Sequence, residues 1–138
     1  MIVADTGAVL ALLDKGDRHH VVVRSLYEEH PGEWLLPWAI LAEVDYLVAS
    51  ELGARAQEAF LADLADGAFP VEYGRYEDIA RAHVVARKYR ALRLGLVDAV
   101  VIAVAERLRA DAIATLDLRR FGAVKITGAP RLLPRDAT

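Results

Sequence analysis

The sequence contains no cysteine among its 138 residues. This absence excludes disulfide scaffolds, thiolate zinc sites, iron–sulfur clusters and cysteine nucleophiles together, and it fits a reducing cytoplasm. No apolar run approaches the ~18 residues that a bilayer requires, and the N-terminal stretch MIVAD reaches an acid before any basic segment. We therefore expect a cytoplasmic protein with no membrane partner.

Motifs for nucleotide binding and for serine hydrolysis are also missing. The sequence has no Walker A or G-x-G-x-x-G stretch, and neither of its serines, Ser25 and Ser50, lies in G-x-S-x-G. Its four histidines lack HExxH spacing. Dinucleotide chemistry, nucleotide-driven chemistry and a two-histidine ribonuclease mechanism therefore have no support.

The formal net charge of -3 hides an uneven distribution. Residues 1–74 carry 4 Lys/Arg against 13 Asp/Glu, whereas residues 75–138 carry 13 against 7. Such asymmetry favours a polyanionic partner such as a nucleic acid, although a salt-bridged surface explains it equally well.

Short apolar stretches alternate with helical patterns along the whole chain. The predicted strands lie in MIVA, EWLLP, FPVEY, DAIATL and VKIT. Strands that alternate with helices indicate an α/β fold with a central parallel sheet of four to five strands, covered by helices on both faces. The length suits one domain spanning residues 1–138.

The tetrapeptide Asp5-Thr6-Gly7-Ala8 also occurs in aspartic proteases of the retroviral type. Those enzymes are built from β-hairpins and carry the motif in a loop between strands, whereas here helix-forming residues follow it. The architecture therefore argues against a protease.

Four acids occupy positions that structure alone explains poorly. Asp5 and Asp117 follow predicted strands, and the carboxyl ends of parallel strands form the ligand crevice of such folds. Glu43 lies within a helix that is apolar around most of its circumference, so we expect it to be buried, and Asp98 begins a second apolar helix. As alternatives, Asp5 and Asp98 are helix N-caps, and Asp117 caps a turn or pairs with Arg119 or Arg120.

If the four carboxylates converge, they need a cation. Two carboxylates ~4 Å apart repel by ~4 kcal/mol at an effective dielectric constant of ~20. Ligands that are all oxygen favour Mg²⁺ or Mn²⁺ over Zn²⁺. Such ions bind phosphate oxygens and activate water, which favours phosphodiester hydrolysis with departure of the 3′ oxygen.

Four stretches resemble the PIN-domain family, and within it the VapC-type toxins of toxin–antitoxin pairs. They are IVADTGAVLALL, PWAILAEVDYLV, LGLVDAVVIAVAERL and IATLDLRRF. By this resemblance Asp5, Glu43, Asp98 and Asp117 match the metal-binding catalytic acids, and Thr6 and Thr115 match supporting hydroxyls. Gly7 departs from the family, where many relatives carry serine.

The resemblance implies a three-layer sandwich and an Mg²⁺-dependent endoribonuclease that acts on RNA. It also implies a homodimer and a cognate antitoxin that covers the site. Two other functions stay open: a receiver-like domain, which lacks its paired acid and its lysine here, and a non-catalytic acidic pocket that serves only for docking.

Basic residues near the acids are candidate RNA contacts. A cluster with an interleaved tyrosine precedes the Asp98 helix, and two further arginines follow Asp117. They favour contact with a phosphate backbone, while cations at a helix end or in salt bridges give the same pattern. The candidates are Arg87, Lys88, Arg90, Arg93, Arg119 and Arg120.

Overall fold

The computed structural model describes residues 1–137 and contains a five-stranded sheet flanked by helices. The strands are β1 (Ile2–Ala4), β2 (Trp34–Pro37), β3 (Val71–Glu72), β4 (Ala112–Ala114) and β5 (Arg131–Leu133). The helices are α1 (Thr6–Leu13), α2 (His20–Glu29), α3 (Trp38–Leu52), α4 (Ala54–Ala65), α5 (Tyr76–Lys88), α6 (Leu96–Leu108) and α7 (Leu118–Phe121), with a 3-10 turn at Arg90–Leu92. The predicted α/β class with a parallel sheet is confirmed.

The sheet places β1 at its centre. The strand order is β3-β2-β1-β4-β5, and every neighbouring pair is parallel. Ile2 pairs with Trp34 on one side and with Ala112 on the other. The chain adds β2 and β3 on one side of β1 before it adds β4 and β5 on the other, so the strand order reverses between β1 and β4. In open α/β sheets the crevice outside such a reversal is the usual ligand site.

Helix α6 forms the middle of the core. Its residues 99–105 are all buried, which explains why its sequence is apolar without periodicity. The neighbouring strands β1 and β4 are buried as well, since all three residues of each have almost no exposed surface. Helix α5 begins with Glu77 and Asp78 and ends with Arg87 and Lys88, which complements its dipole.

The prediction of a strand at VKIT is wrong. Val124 and Ile126 are buried and alternate with exposed residues, as in a strand. The backbone amides of Lys125 and Thr127, however, donate to side chains and not to a neighbouring strand. Lys125 donates to the Tyr89 hydroxyl at 3.0 Å and Thr127 donates to Glu106 Oε2 at 2.8 Å. The edge of β4 is instead taken by β5.

Within residues 1–137, no helix is long and apolar enough to cross a membrane.

Candidate metal-dependent active site

A cleft of about 870 Å³ lies at the carboxyl ends of β1 and β4. Four parts of the chain each supply one acid: the β1–α1 junction, the middle of α3, the first turn of α6 and the β4–α7 connection. The cleft is lined by Asp5, Thr6, Gly7, Leu10, Glu43, Leu47, Arg93, Gly95, Leu96, Val97, Asp98, Leu116, Asp117 and Arg120. All four acids predicted from the sequence therefore face one cavity.

Asp5 is the most buried of these acids. It is 5% exposed, and its backbone amide donates to the Ala114 carbonyl at 2.9 Å, which fixes it beside β4. Its Oδ2 accepts a hydrogen bond from Thr115 Oγ1 at 3.0 Å, while Oδ1 is buried without a partner. Burial raises the pKa of Asp5 to about 7, and the charge of Asp98 contributes to the rise. Asp5 stands at the N-cap position of α1 but makes no capping bond, so capping does not explain it.

The two threonines flank Asp5. Thr115 is fully buried, and besides donating to Asp5 it accepts a hydrogen bond from the Asp117 amide at 3.1 Å. It therefore ties the acid after β1 to the acid after β4. Thr6 is also buried, and its hydroxyl has no partner among the described residues. Gly7 follows Thr6, and a Cβ built on it would meet no atom within 4 Å, so there is space for a side chain at this position.

Asp98 lies in the first turn of α6 and is half-buried. Gly95, not Asp98, is the N-cap of this helix, so the capping interpretation of Asp98 is wrong. Burial raises the pKa of Asp98, and the negative charges of Asp117 and Glu43 raise it further, whereas Arg120 lowers it. Asp98 is therefore close enough to Asp117 and Glu43 for their charges to act on it.

Asp117 has a structural role in addition to its place in the cleft. It caps α7, since its Oδ1 accepts a hydrogen bond from the Arg120 amide at 3.1 Å, and its Oδ2 forms a salt bridge with Arg120 Nη1 at 3.1 Å. The alternative of a cap paired with an arginine is therefore observed for this one acid. It does not exclude a second role, because Asp117 still lines the cleft.

The expectation that Glu43 is buried is wrong. Helix α3 fully buries one stripe, Ile40, Val44 and Val48, and leaves Glu43 exposed on the cleft wall. The other apolar side chains of this helix are either exposed, as Tyr46 is at 71%, or only partly buried, as Leu41 and Leu47 are. Glu43 is therefore connected with the other acids by its position on the cleft wall and by its charge, which contributes to the raised pKa of Asp98.

The donor chemistry of the cleft fits a divalent cation. Among the described residues, Asp5 Oδ1 and Thr6 Oγ1 are buried oxygens without partners. Burial raises the pKa of Asp5 and of Asp98, and neighbouring carboxylates raise both further. A cation would satisfy these oxygens and relieve the repulsion. Within residues 1–137, however, no three His, Cys, Asp or Glu side chains already stand close enough to hold an ion.

The predicted RNA contacts lie in three places. Arg93 and Arg120 line the acidic cleft. Arg87, Lys88 and Arg90 line a different depression of about 450 Å³. Arg119 is exposed and lies outside the cleft lining, which distinguishes it from its neighbour Arg120.

The apolar wall of the cleft was not predicted from the sequence. It consists of Leu10, Leu47, Leu96, Val97 and Leu116. Two of these residues could have been found from their spacing to the acids. Leu47 lies one helical turn after Glu43, on the same face of the helix, and Val97 precedes Asp98.

Comparison with known proteins identifies relatives along almost the whole chain. The PIN domain family model matches residues 2–126. The Mycobacterium tuberculosis protein named Ribonuclease VapC26 is 33% identical over 130 residues, which covers 94% of this chain and 96% of that protein.

Solved structures show the same fold. The crystal structure of Mycobacterium tuberculosis VapC20, described as a sarcin-ricin loop cleaving toxin, matches with a TM-score of 0.82 and 22% identity over 94% of this chain and 99% of that chain. The FitAcB structure from Neisseria gonorrhoeae matches with a TM-score of 0.65 and 18% identity over 96% of each chain. Family model and sequence relative agree, and they separate this chain from receiver-like domains: it belongs to the PIN-domain family, in its VapC-type branch.

Proposed function

We propose that this protein is a divalent-metal-dependent endoribonuclease and the toxin of a VapC-type toxin–antitoxin pair. The observation that carries the proposal is the environment of Asp5. This acid is buried at the strand-order reversal, and one of its oxygens has no partner within residues 1–137. Burial raises its pKa, and the charges of Asp98 and Asp117 add to the rise. Such an arrangement is costly to the fold and is typical of a functional site. The sequence relative named as a ribonuclease supports RNA as the substrate.

Asp5, Asp98, Asp117 and Glu43 would hold the cation, which we take to be Mg²⁺, with Mn²⁺ as a substitute. The all-oxygen donor set supports this choice. When bound, such an ion supplies activation of a water nucleophile and stabilisation of charge on the phosphate oxygens.

The chain itself orients the acids and the substrate. Thr115 holds Asp5 and the Asp117 backbone in fixed relation through two hydrogen bonds. Arg93 and Arg120 stand in the cleft, where guanidinium groups suit phosphate oxygens. We further propose that Arg87, Lys88, Arg90 and Arg119 contact flanking RNA, because they are exposed on the basic half of the chain.

We also propose a homodimer and an antitoxin that covers the cleft. Large apolar side chains are exposed beside the cleft: Trp38 at 56%, Tyr73 at 73%, Tyr76 at 82% and Leu96 at 66%. The Trp38 and Tyr73 rings lie 5.0 Å apart and form one surface. Exposed aromatic patches of this kind favour a protein partner. If this surface forms the dimer interface, Tyr76→Ser and Trp38→Ser should give monomers in light scattering. A dimer that persists in both variants would contradict a dimer interface at this surface.

We further propose that residues 1–138 form one PIN-like domain. The family model ends at residue 126, but β5 pairs with β4 and so belongs to the same sheet.

The decisive experiment measures RNA cleavage by purified protein with Mg²⁺ and with EDTA. Asp5→Asn and Asp98→Asn should abolish cleavage, whereas Asp63→Asn, an exposed acid on α4, should leave it unchanged. Cleavage that persists in EDTA or in Asp98→Asn would refute the proposal. A chain that binds no divalent ion would instead support a non-catalytic docking pocket. Mapping RNA ends in cells that express the wild type or Asp5→Asn would then identify the RNA.

A further inference from the structure

Arg120 makes three hydrogen bonds that fix it inside the cleft. Its Nη1 donates to Asp117 Oδ2 at 3.1 Å, its backbone amide donates to Asp117 Oδ1 at 3.1 Å, and its Nε donates to the Leu92 carbonyl at 3.2 Å. Both carboxylate oxygens of Asp117 are therefore engaged by one residue. The Arg120 side chain is 34% exposed, so it stands at the cleft surface with room to move outward.

This arrangement conflicts with cation binding at the same carboxylate. A guanidinium and a divalent ion carry charge of the same sign, and charges a few ångströms apart in a partly buried cleft repel strongly. The Oδ2 that accepts from Nη1 also has less capacity to ligate a metal. The conflict agrees with the absence, within the described residues, of three acids that are ready to bind an ion.

We propose that Arg120 is the counter-ion of Asp117 in the metal-free cleft and that a divalent cation displaces its guanidinium from this carboxylate. Arg120 is thus a positioning residue that acts through Asp117. The inference rests on the proposed function, because it assumes that the cleft binds a cation. The bond from Nε to the Leu92 carbonyl keeps the released guanidinium near the cleft, where a substrate phosphate is its natural next partner.

Arg119 provides a matched control. It lies beside Arg120 in the same four-residue helix α7 and carries the same charge. It is exposed, it does not line the cleft and its side chain makes no hydrogen bond within residues 1–137. A change in overall charge affects both variants equally, whereas a direct competition for Asp117 affects only Arg120.

The test is calorimetric titration of the RNA-free protein with Mn²⁺ at fixed pH and ionic strength. Arg120→Gln should bind Mn²⁺ more tightly than the wild type by on the order of tenfold, since a nearby like charge is removed. Arg119→Gln should stay close to the wild type, and Arg120→Lys, which keeps the charge, should restore most of the weaker affinity. Affinity that is equal in the two glutamine variants, or weaker in Arg120→Gln, overturns the inference.

A second measurement needs no variant. In ¹⁵N–¹H spectra of the wild type, the Arg120 side-chain signals should shift on addition of Mg²⁺, while those of Arg119 should not. Arg120 signals that stay unchanged while Mg²⁺ binds overturn the displacement but leave the proposed function intact. A wild type that binds neither ion overturns the proposed function as well.

Discussion

Replacing Asp5 with asparagine removes a charge that the metal-free fold must bury. Its pKa is about 7 in the folded chain, against an ordinary value of 3.8 that applies to the unfolded chain. Between these two pH values the folded chain keeps a proton that the unfolded chain releases. The free energy of unfolding of the wild type therefore falls as pH rises from about 4 to 7, by ~1.4 kcal/mol per pH unit.

The full difference approaches roughly 4 kcal/mol above pH 7. Because asparagine does not titrate, Asp5→Asn should lack this loss. We expect the two chains to be similar at pH 4 and the variant to be the more stable by up to ~4 kcal/mol at pH 8. Added Mg²⁺ should stabilise the wild type at pH 8, by ~2.7 kcal/mol at a hundredfold excess over the dissociation constant, and leave the variant unchanged.

The assay is urea unfolding followed by circular dichroism at pH values from 4 to 8 in EDTA. Asp63→Asn serves as the control. Its carboxylate is exposed, so removing its charge should not stabilise the fold. A difference between wild type and Asp5→Asn that stays constant with pH, or that favours the wild type at pH 8, would refute the reasoning.

Three further outcomes are expected. Glu43→Gln should reduce RNA cleavage at least ~10-fold while changing the free energy of unfolding by less than ~0.5 kcal/mol, because its side chain is exposed. Glu51→Gln, at an exposed acid on the same helix, should change neither. Thr115→Val removes the hydroxyl that links two acids of the cleft, so cleavage should fall ~10- to 100-fold in single-turnover assays. Asp78→Asn breaks a two-bond ion pair with Arg107 and should lower the free energy of unfolding by roughly 3 kcal/mol at pH 7, with cleavage retained at low temperature. Burial raises the pKa of Asp78, but the hydrogen bonds from Arg107 and from the Arg75 amide, with the charges of both arginines, together lower it below its ordinary value. This stabilisation is therefore lost as the wild type is acidified through that pKa.

Local sequence patterns were sufficient to predict the fold because each element carries its own signal. Apolar stretches between amphipathic helices predicted four of the five strands, and their alternation with helices predicted the parallel sheet. VKIT misled because burial in alternation does not reveal where backbone amides find acceptors. That choice depends on Tyr89 and Glu106, which arrive from distant helices.

The sequence was sufficient to predict which acids line the cleft, but not how deeply each is buried or which groups it contacts. Strand ends locate Asp5 and Asp117, since parallel strands bring their carboxyl ends to one edge. The exposure of Glu43 was not predictable. An apolar sequence shows that a helix can be buried, but it does not show which faces of the helix contact the core and which border a cleft. The bond from Arg120 to the Leu92 carbonyl joins residues 28 positions apart and leaves no local signal.

Gly7 gives the cleft an experimental handle. The sequence has no cysteine, and a Cβ at this position would meet nothing within 4 Å. Gly7→Cys would thus create a chain with a single thiol, one residue from Thr6 and two from Asp5. The rate at which this thiol reacts with a fluorescent maleimide would report, in real time and without RNA hydrolysis, whether a small ion, a nucleic acid or a protein inhibitor has closed the entrance.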